Sequence, residues 1–244
     1  MNKILLSLLL LIIIIVAVIY GPKAVRLYNL ANLYDEDSIA SNFINIDKIF
    51  TVSEPIPAAE RPYMFNKKAY ELPETYFFEG EEKNLQEALD HFKTDGLIVL
   101  HNGNMLYENY WNGNSVSSKH IAFSVSKSFL SALIGIAVGD GLIDSIEDPV
   151  TKYIPDFNGT GYEGVRIKDI LQMSSGVKFN EDYADPKSDI NIFGRAVARG
   201  SSFRDFSKTL EREKTPGTYH HYVSIDTQVL GFLLAEVTGV SVQD

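Results

Sequence analysis

Phe123-Ser124-Val125-Ser126-Lys127-Ser128-Phe129 runs without a break into Leu130-Ser131-Ala132-Leu133-Ile134-Gly135-Ile136-Ala137-Val138. The second half is apolar almost all round, which predicts a buried helix rather than an amphipathic surface one. Ser124 and Lys127 stand three residues apart at its start. A helix therefore places them on one face, one turn apart, with their side chains in reach of each other. A serine becomes a nucleophile when a base lies within hydrogen-bond reach. A lysine held against apolar surroundings loses proton affinity and supplies that base. The competing reading is a serine at a helix start and a lysine that extends its ammonium to water. The spacing alone is weakly selective, since roughly one Ser-x-x-Lys is expected by chance at this composition. A second match, Ser175-Gly176-Val177-Lys178, contains a glycine and has no apolar helix behind it. It reads as a turn.

Outward from this stretch the pattern alternates. Upstream, Gly96 to His101 predicts a strand, Asn102-Gly103 a two-residue hairpin turn, and Asn104 to Trp111 the return strand. Leu85, Ala88, Leu89 and Phe92 have helical spacing, which predicts a helix over Asn84 to Phe92. Downstream, the apolar helix ends near Gly139-Asp140-Gly141, where glycine takes the left-handed cap. Ile167 to Met173 predicts a short helix closed by Ser174-Ser175-Gly176. Ser188 to Arg199 and Phe203 to Arg212 predict two more, and Pro216-Gly217 a turn. Ser224 is expected to cap a last helix, Ile225 to Val237, with Asp226 in its first turn. A hairpin followed mostly by helices indicates an α/β (α+β) domain in which helices pack a sheet.

The net charge of −10 and the pI near 5 argue against nucleic-acid binding, which needs a basic face. The cluster Glu79-Gly80-Glu81-Glu82 reads as a solvated loop. No cysteine is present, which excludes disulfides, thiolate chemistry, iron–sulfur clusters and lipid attachment through cysteine. The pair His220-His221 lacks a third ligand at zinc spacing, so no metal is expected. At the N-terminus, Ile4 to Tyr20 carries only Ser7 as a clearly polar residue, roughly the shortest run that spans a bilayer. It lacks a small-x-small cleavage site, and Gly21-Pro22 ends it. The expectation is a membrane anchor, or alternatively a cleaved signal peptide, over residues 1–22, a membrane-proximal segment and linker over 23–83, and a domain over 84–244. Ala24 to Phe50 is expected to continue as a helix, and Thr51 to Arg61, with Pro55, Pro57 and nearby Pro62, as an extended linker. Positive charges flank the apolar run on both sides, so the positive-inside rule does not set its orientation. An N-terminal anchor usually leaves the following domain outside the cytoplasm, periplasmic or extracellular.

Several segments in order resemble the serine β-lactamase and penicillin-binding superfamily, in its class C, esterase-like branch. These are Gly96 to Trp111, Ser124 to Lys127, Asp148-Pro149-Val150 with Tyr153-Ile154-Pro155, Ile167 to Val177, and Pro216 to Gly239. The resemblance runs from about Leu85 onward and implies an antiparallel sheet packed by helices. It also implies that Ser124 is the nucleophile, that no cofactor is used, and that the substrate is a small amide or ester. The family's second motif, Tyr-x-Asn, matches Tyr222-Val223-Ser224, which makes Tyr222 a catalytic candidate beside Ser124 and Lys127. Ser224 stands where the family has asparagine. An amide offers two donors and an acceptor, whereas a hydroxyl offers one donor and accepts. Tyr222-x-Ser224 with Asp226-Thr227, and Glu181-Asp182-Tyr183-Ala184-Asp185-Pro186, look instead like the 6-aminohexanoate-dimer hydrolase branch, in which Tyr183 and Ser224 would contact substrate.

A third motif of that superfamily, Lys-Thr-Gly or a His-x-Gly variant, is expected well after the tyrosine motif, and the residues up to Asp244 contain neither. The sequence reading is therefore of a fold incomplete at its C-terminus. Three functions are compatible: a membrane-anchored serine hydrolase of amides or esters, a β-lactamase or D-Ala-D-Ala peptidase, and a non-catalytic binding or sensor domain of the same fold.

Overall fold

The structure, a computed structural model, describes residues 11, 14, 15, 17–22, 24, 25, 28, 29, 31–49 and 59–242. Most of the expected anchor, residues 4–10, 12, 13 and 16, lies outside the described residues. So do residues 51–58 of the expected linker. Among the described residues no helix is long and apolar enough to cross a membrane. The chain divides into two compact units, residues 1–121 and residues 122–244.

In the first unit, the helix expected over Ala24 to Phe50 is interrupted. Turns at 32–34 and 36–38 precede two short helices, α1 (Ile39–Ile44) and α2 (Ile46–Ile49). The polar side chains of Asn32 and Asp35 bond to nearby backbone there: Asn32 Nδ2 donates to the Tyr28 carbonyl, and Asp35 Oδ1 accepts the Asp37 N–H. Such local bonds compete with helix continuation. Three strands form one sheet: β1 (Asn66–Lys67), β4 (Gly96–His101) and β5 (Asn104–Tyr110). Their order is β1-β5-β4, with β1 parallel and β4 antiparallel to β5. Asn102 and Gly103 both take positive φ, 47° and 73°, the backbone that a two-residue hairpin requires. A second hairpin joins β2 (Thr75–Phe78) to β3 (Glu81–Asn84). The acidic cluster expected as loop is thus a turn at Glu79-Gly80 followed by a strand. The Thr75 hydroxyl donates to Glu82 across the ladder, which gives the carboxylate a partner within the sheet. Asn84 then caps α3 (Leu85–His91), accepting the Glu87 N–H at 2.9 Å.

The second unit is built on α4 (Val125–Gly139) and α8 (Ser224–Thr238), which pack together. Between them come 3₁₀ turns at Val150–Lys152 and Pro155–Phe157, then α5 (Ile167–Leu171), α6 (Asp189–Ala198) and α7 (Phe203–Lys208). Leu130, Ile134 and Ala137 of α4 meet Val229, Leu230, Leu233 and Leu234 of α8 in one buried cluster with Phe157, Tyr162, Ile167 and Ile170. Each fully buried aliphatic side chain contributes about 1.5–3 kcal/mol. The expectation that α4 is buried all round is corrected. Leu130, Ile134 and Ala137 form one buried stripe, while Val125, Phe129 and Ile136 are 61%, 68% and 58% exposed. A single partner helix covers a single stripe. The helix expected over Phe203 to Arg212 ends at Lys208, because residues 210–212 enter extended pairing. The Leu210 carbonyl accepts the Gly161 N–H at 2.9 Å, and the Glu211 carbonyl accepts the Lys178 N–H at 2.9 Å. Gly239 closes α8 at φ 72°.

Candidate active site

Ser124 stands at the mouth of α4. The residue before it, Phe123, has φ 42°, a region that non-glycine residues rarely adopt. That sharp entry lets preceding carbonyls serve the first helical N–H groups. Val125 N–H donates to Ala122 and Ser126 N–H to Phe123, at 3.0 and 3.2 Å. Ser124 has near-helical angles, φ −70° and ψ −9°, and its side chain makes no capping bond. The hydroxyl is free for other work. It accepts from Lys127 Nζ at 2.9 Å and from the Tyr222 hydroxyl at 2.7 Å.

Tyr222 reaches Ser124 through a tightly determined turn. Gly176 takes φ 75° and its carbonyl accepts the N–H groups of Glu213 and Lys214, both at 2.9 Å. Gly217, at φ 77°, donates to the Ser174 carbonyl at 2.8 Å. A Cβ there would sit 2.7 Å from Asp169 Oδ1, so the glycine lets the turn close onto the Arg166–Asp169 ion pair. His221 N–H donates to the Met173 carbonyl at 2.8 Å. Beyond it Val223 and Ile225 are buried, while Tyr222 between these anchors is 40% exposed. Alternation of apolar and polar residues thus turns the phenol outward to Ser124.

Burial pushes Tyr222 up, but hydrogen bonds with Lys127 and Ser124 and the Lys127 charge outweigh it. The net effect holds Tyr222 below the ordinary phenol value. Lys127 Nζ lies 5.2 Å from the Tyr222 ring centroid. Lys127 itself is half-buried, not buried as the apolar helix suggested, because the flank of α4 that carries Phe129 is open. An oxygen that accepts two donors keeps its own proton elsewhere. For attack, one of Lys127 and Tyr222 must instead be the acceptor, so the reactive state needs one of them deprotonated.

Tyr183 and Ser224 converge on a residue that sequence reasoning did not single out. The Tyr183 hydroxyl donates to Glu181 Oε1 at 3.0 Å, and the Ser224 hydroxyl donates to the same oxygen. Ser224 N–H donates to Glu181 Oε2 at 2.8 Å. Burial and then Glu181 push Tyr183 up to about 12. Ser224 is the first residue of α8, and Val223 is its N-cap. The expected cap is therefore displaced by one residue, since a carboxylate from another loop serves the N–H at this end. With its single proton committed to Glu181, the Ser224 hydroxyl has only lone pairs left to offer a substrate. No local pattern marks Glu181, because the tie spans 43 positions of sequence.

Asp226, one turn into α8, is fully buried. It accepts from the Tyr162 hydroxyl at 2.9 Å through Oδ1, while Oδ2 makes no hydrogen bond. Burial pushes it up to about 7, against the opposing pull of the Ser175 and Tyr162 hydroxyls. The second Ser-x-x-Lys stretch is non-helical, as expected, but extended rather than a turn: Val177 makes a β-bridge with Arg212, Ser175 is buried and accepts the Val177 N–H at 3.3 Å, and Lys178 is exposed. Among the described residues no group of histidine, aspartate and glutamate is arranged to hold a metal. His221 instead bonds the Phe179 carbonyl at 2.7 Å through Nε2.

With this geometry in view, the chain was compared with known proteins. The family model described as beta-lactamase matches residues 82–244. The 6-aminohexanoate-dimer hydrolase of Paenarthrobacter ureafaciens is 30% identical over 164 residues, which cover 64% of this chain and 41% of that protein. A "Putative D-alanyl-D-alanine carboxypeptidase" of Salmonella agona is 31% identical over 110 residues, covering 42% of this chain and 24% of that protein. The chain thus spans less than half the length of either curated relative. Among solved structures, a "Putative 6-aminohexanoate-dimer hydrolase from Bacillus anthracis" superposes with a TM-score of 0.75 over 87% of this chain and 58% of that one. At 22% identity that likeness is one of fold. It agrees with the mixed α/β architecture expected from the sequence.

Proposed function

The chain belongs to the beta-lactamase family, and from that premise we propose that it works as a serine hydrolase of small amides or esters, through an acyl-enzyme on Ser124. One observation carries the reading: Ser124 Oγ, freed from helix capping, meets both Lys127 Nζ and the Tyr222 hydroxyl within 2.9 Å. Ser124 attacks the carbonyl carbon. Its proton passes to whichever of Lys127 and Tyr222 is deprotonated, and from the pair to the leaving amine or alcohol. Water, deprotonated by the same pair, then cleaves the ester to Ser124. Ser124 sits at the positive end of the α4 dipole, which favours the oxygen that becomes negative during attack. The lowering of Tyr222 below the ordinary phenol value supports a phenol that gives up its proton more readily than a free one.

Within this class, Tyr222-x-Ser224 and the named relative favour linear amides of the 6-aminohexanoate-dimer kind. The carboxypeptidase relative supports a second reading, hydrolysis of D-Ala-D-Ala peptides or β-lactams. We further propose that the apolar run Ile4 to Tyr20 tethers the protein to a membrane, with its domain on the periplasmic or extracellular side.

The test is a fluorophosphonate probe on the intact protein, followed by peptide mass spectrometry. An adduct on Ser124 is expected. No adduct, with no turnover of p-nitrophenyl esters, would favour a binding or sensor domain instead. Faster turnover of nitrocefin than of a 6-aminohexanoate dimer would reverse the ranking of substrates. For the tether, the protein is expected to stay in the membrane fraction after a carbonate wash and to be released by deletion of residues 1–22.

A further inference from the structure

Tyr222 is 40% exposed, so packing covers only part of it. What fixes it is a loop. Asn180 is seated on α6, where its N–H donates to Asp189 Oδ2 at 2.7 Å and its carbonyl accepts the Ile190 N–H at 3.1 Å. From that footing the residues on either side of Asn180 reach the segment that carries Tyr222. The Phe179 carbonyl bonds His221 Nε2 at 2.7 Å. Glu181 takes both the backbone N–H and the hydroxyl of Ser224. Phe179 is itself buried in the core, so this end of the loop is firmly placed. The tethered residues, His221 and Ser224, bracket Tyr222 in the chain.

We propose that Glu181 is a positioning residue for Tyr222: with the Phe179–His221 bond it forms a two-point clamp that holds the phenol on Ser124. The inference rests on the hydrolase reading for its kinetic consequence, while the clamp itself is a statement about structure. A carboxylate suits this place for two reasons. Its two oxygens serve the helix N–H and the serine hydroxyl together, and its charge is favourable at the start of a 15-residue helix. An apolar or short side chain at 181 would leave Ser224 N–H half-buried and unpaired. Tyr183, which also donates to Glu181, braces the carboxylate from its outer side.

The experiment separates the clamp from the chemistry. Hydrogen exchange over residues 221–226 is measured in the unsubstituted protein, in Glu181→Gln and in Glu181→Ala. Exchange is expected to rise about tenfold or more in Glu181→Ala and less in Glu181→Gln, which keeps one acceptor oxygen. Single-turnover acylation of a p-nitrophenyl ester is then measured for Glu181→Ala in the native and Tyr222→Phe backgrounds. The expected loss is about 10–100-fold in the acylation rate constant with KM changed less than about threefold, and less than about twofold when Tyr222 is already Phe. Equal losses in the two backgrounds would mean that Glu181 serves folding alone and would overturn the proposal. So would unchanged exchange at residues 221–226. If Glu181→Ala does not fold, Glu181→Gln carries both measurements. An unsubstituted protein that forms no adduct on Ser124 would instead sink the hydrolase reading, and the exchange data would still decide the clamp.

Discussion

Ser124-Val125-Ser126-Lys127 and Ser175-Gly176-Val177-Lys178 have the same spacing, and the chain puts them to opposite uses. In the first, two helical residues bring Nζ to 2.9 Å from Oγ, and a phenol from 98 positions away arrives at 2.7 Å. In the second, no helix carries the stretch: Gly176 takes φ 75°, Val177 makes a β-bridge with Arg212, and the serine is buried while the lysine is exposed. Ser175 is occupied by the Val177 N–H, whereas Ser124 is relieved of any backbone duty by the turn at Phe123. The contrast teaches that the spacing matters only when a helix carries it, the backbone makes no claim on the hydroxyl, and a third group closes on it.

The largest expected effect is at Ser124. Ser124→Ala should lower acylation by more than about 10⁴-fold, because Ser124 Oγ is the hydroxyl on which Lys127 Nζ and the Tyr222 hydroxyl converge. Rapid-quench measurement with mass spectrometry of the trapped adduct checks this. An adduct on Ser175 would erase the distinction between the two stretches.

Next come the partners. Lys127→Ala and Tyr222→Phe are each expected to slow single-turnover acylation by about 10²–10⁴-fold. The double substitution should cost much less than the product of the two, since both act on one proton. Multiplicative losses would assign them independent roles. A Tyr222→Phe variant as fast as the native protein would reduce the site to the serine–lysine pair.

The buried stretch has its own titrating neighbour in Asp226. Its folded value of about 7 lies above the ordinary 3.8 because burial disfavours the carboxylate. The folded state therefore holds a proton that the unfolded chain releases, and stability falls as pH rises from about 4 through about 7. A rise of that size corresponds to on the order of 4 kcal/mol at the alkaline end. Asp226→Asn keeps an acceptor for Tyr162 and cannot ionise. Thermal melts between pH 4 and 8 should show its Tm nearly free of this slope and above that of the native protein at pH 8. An Asn variant that is less stable at pH 8 would refute the assignment.

The smallest effect is at Ser175. Ser175→Ala should leave acylation unchanged and cost about 0.5–1.5 kcal/mol of stability, the worth of one neutral hydrogen bond. Lys178→Ala, at an exposed position, should lie within about 0.5 kcal/mol of the native protein. Chemical denaturation reads both. A loss of acylation in either variant would show that the second stretch takes part after all.

Much of the local structure was legible because it depends on neighbours in sequence. Asn102-Gly103 demands positive φ at two successive residues, and the hairpin follows. Asn84 and Ser188 offer side-chain oxygens to the N–H three residues on, and α3 and α6 start there. The extent of α7 was not legible, since Leu210 to Arg212 leave the helix to pair with Gly161 and Lys178, residues far off in sequence. Nor was the open flank of α4: hydropathy marks residues able to be buried, and only packing tells which of them are.

At the site, the sequence by itself determined which groups are present and that two of them stand close. Ser124 and Lys127 share a helical face whatever the rest of the chain does, because three residues make nearly one turn. Tertiary structure brought Tyr222, a candidate through the family resemblance but not through any local pattern, onto Ser124, and it alone decided that Ser224 would spend its proton on Glu181. It also decided that Asp226 would be sealed beside Ser175. Each of these ties joins residues tens of positions apart. A local pattern carries no information about such a meeting, which is settled only when Val223, Ile225 and the two glycine turns fix the path of the chain.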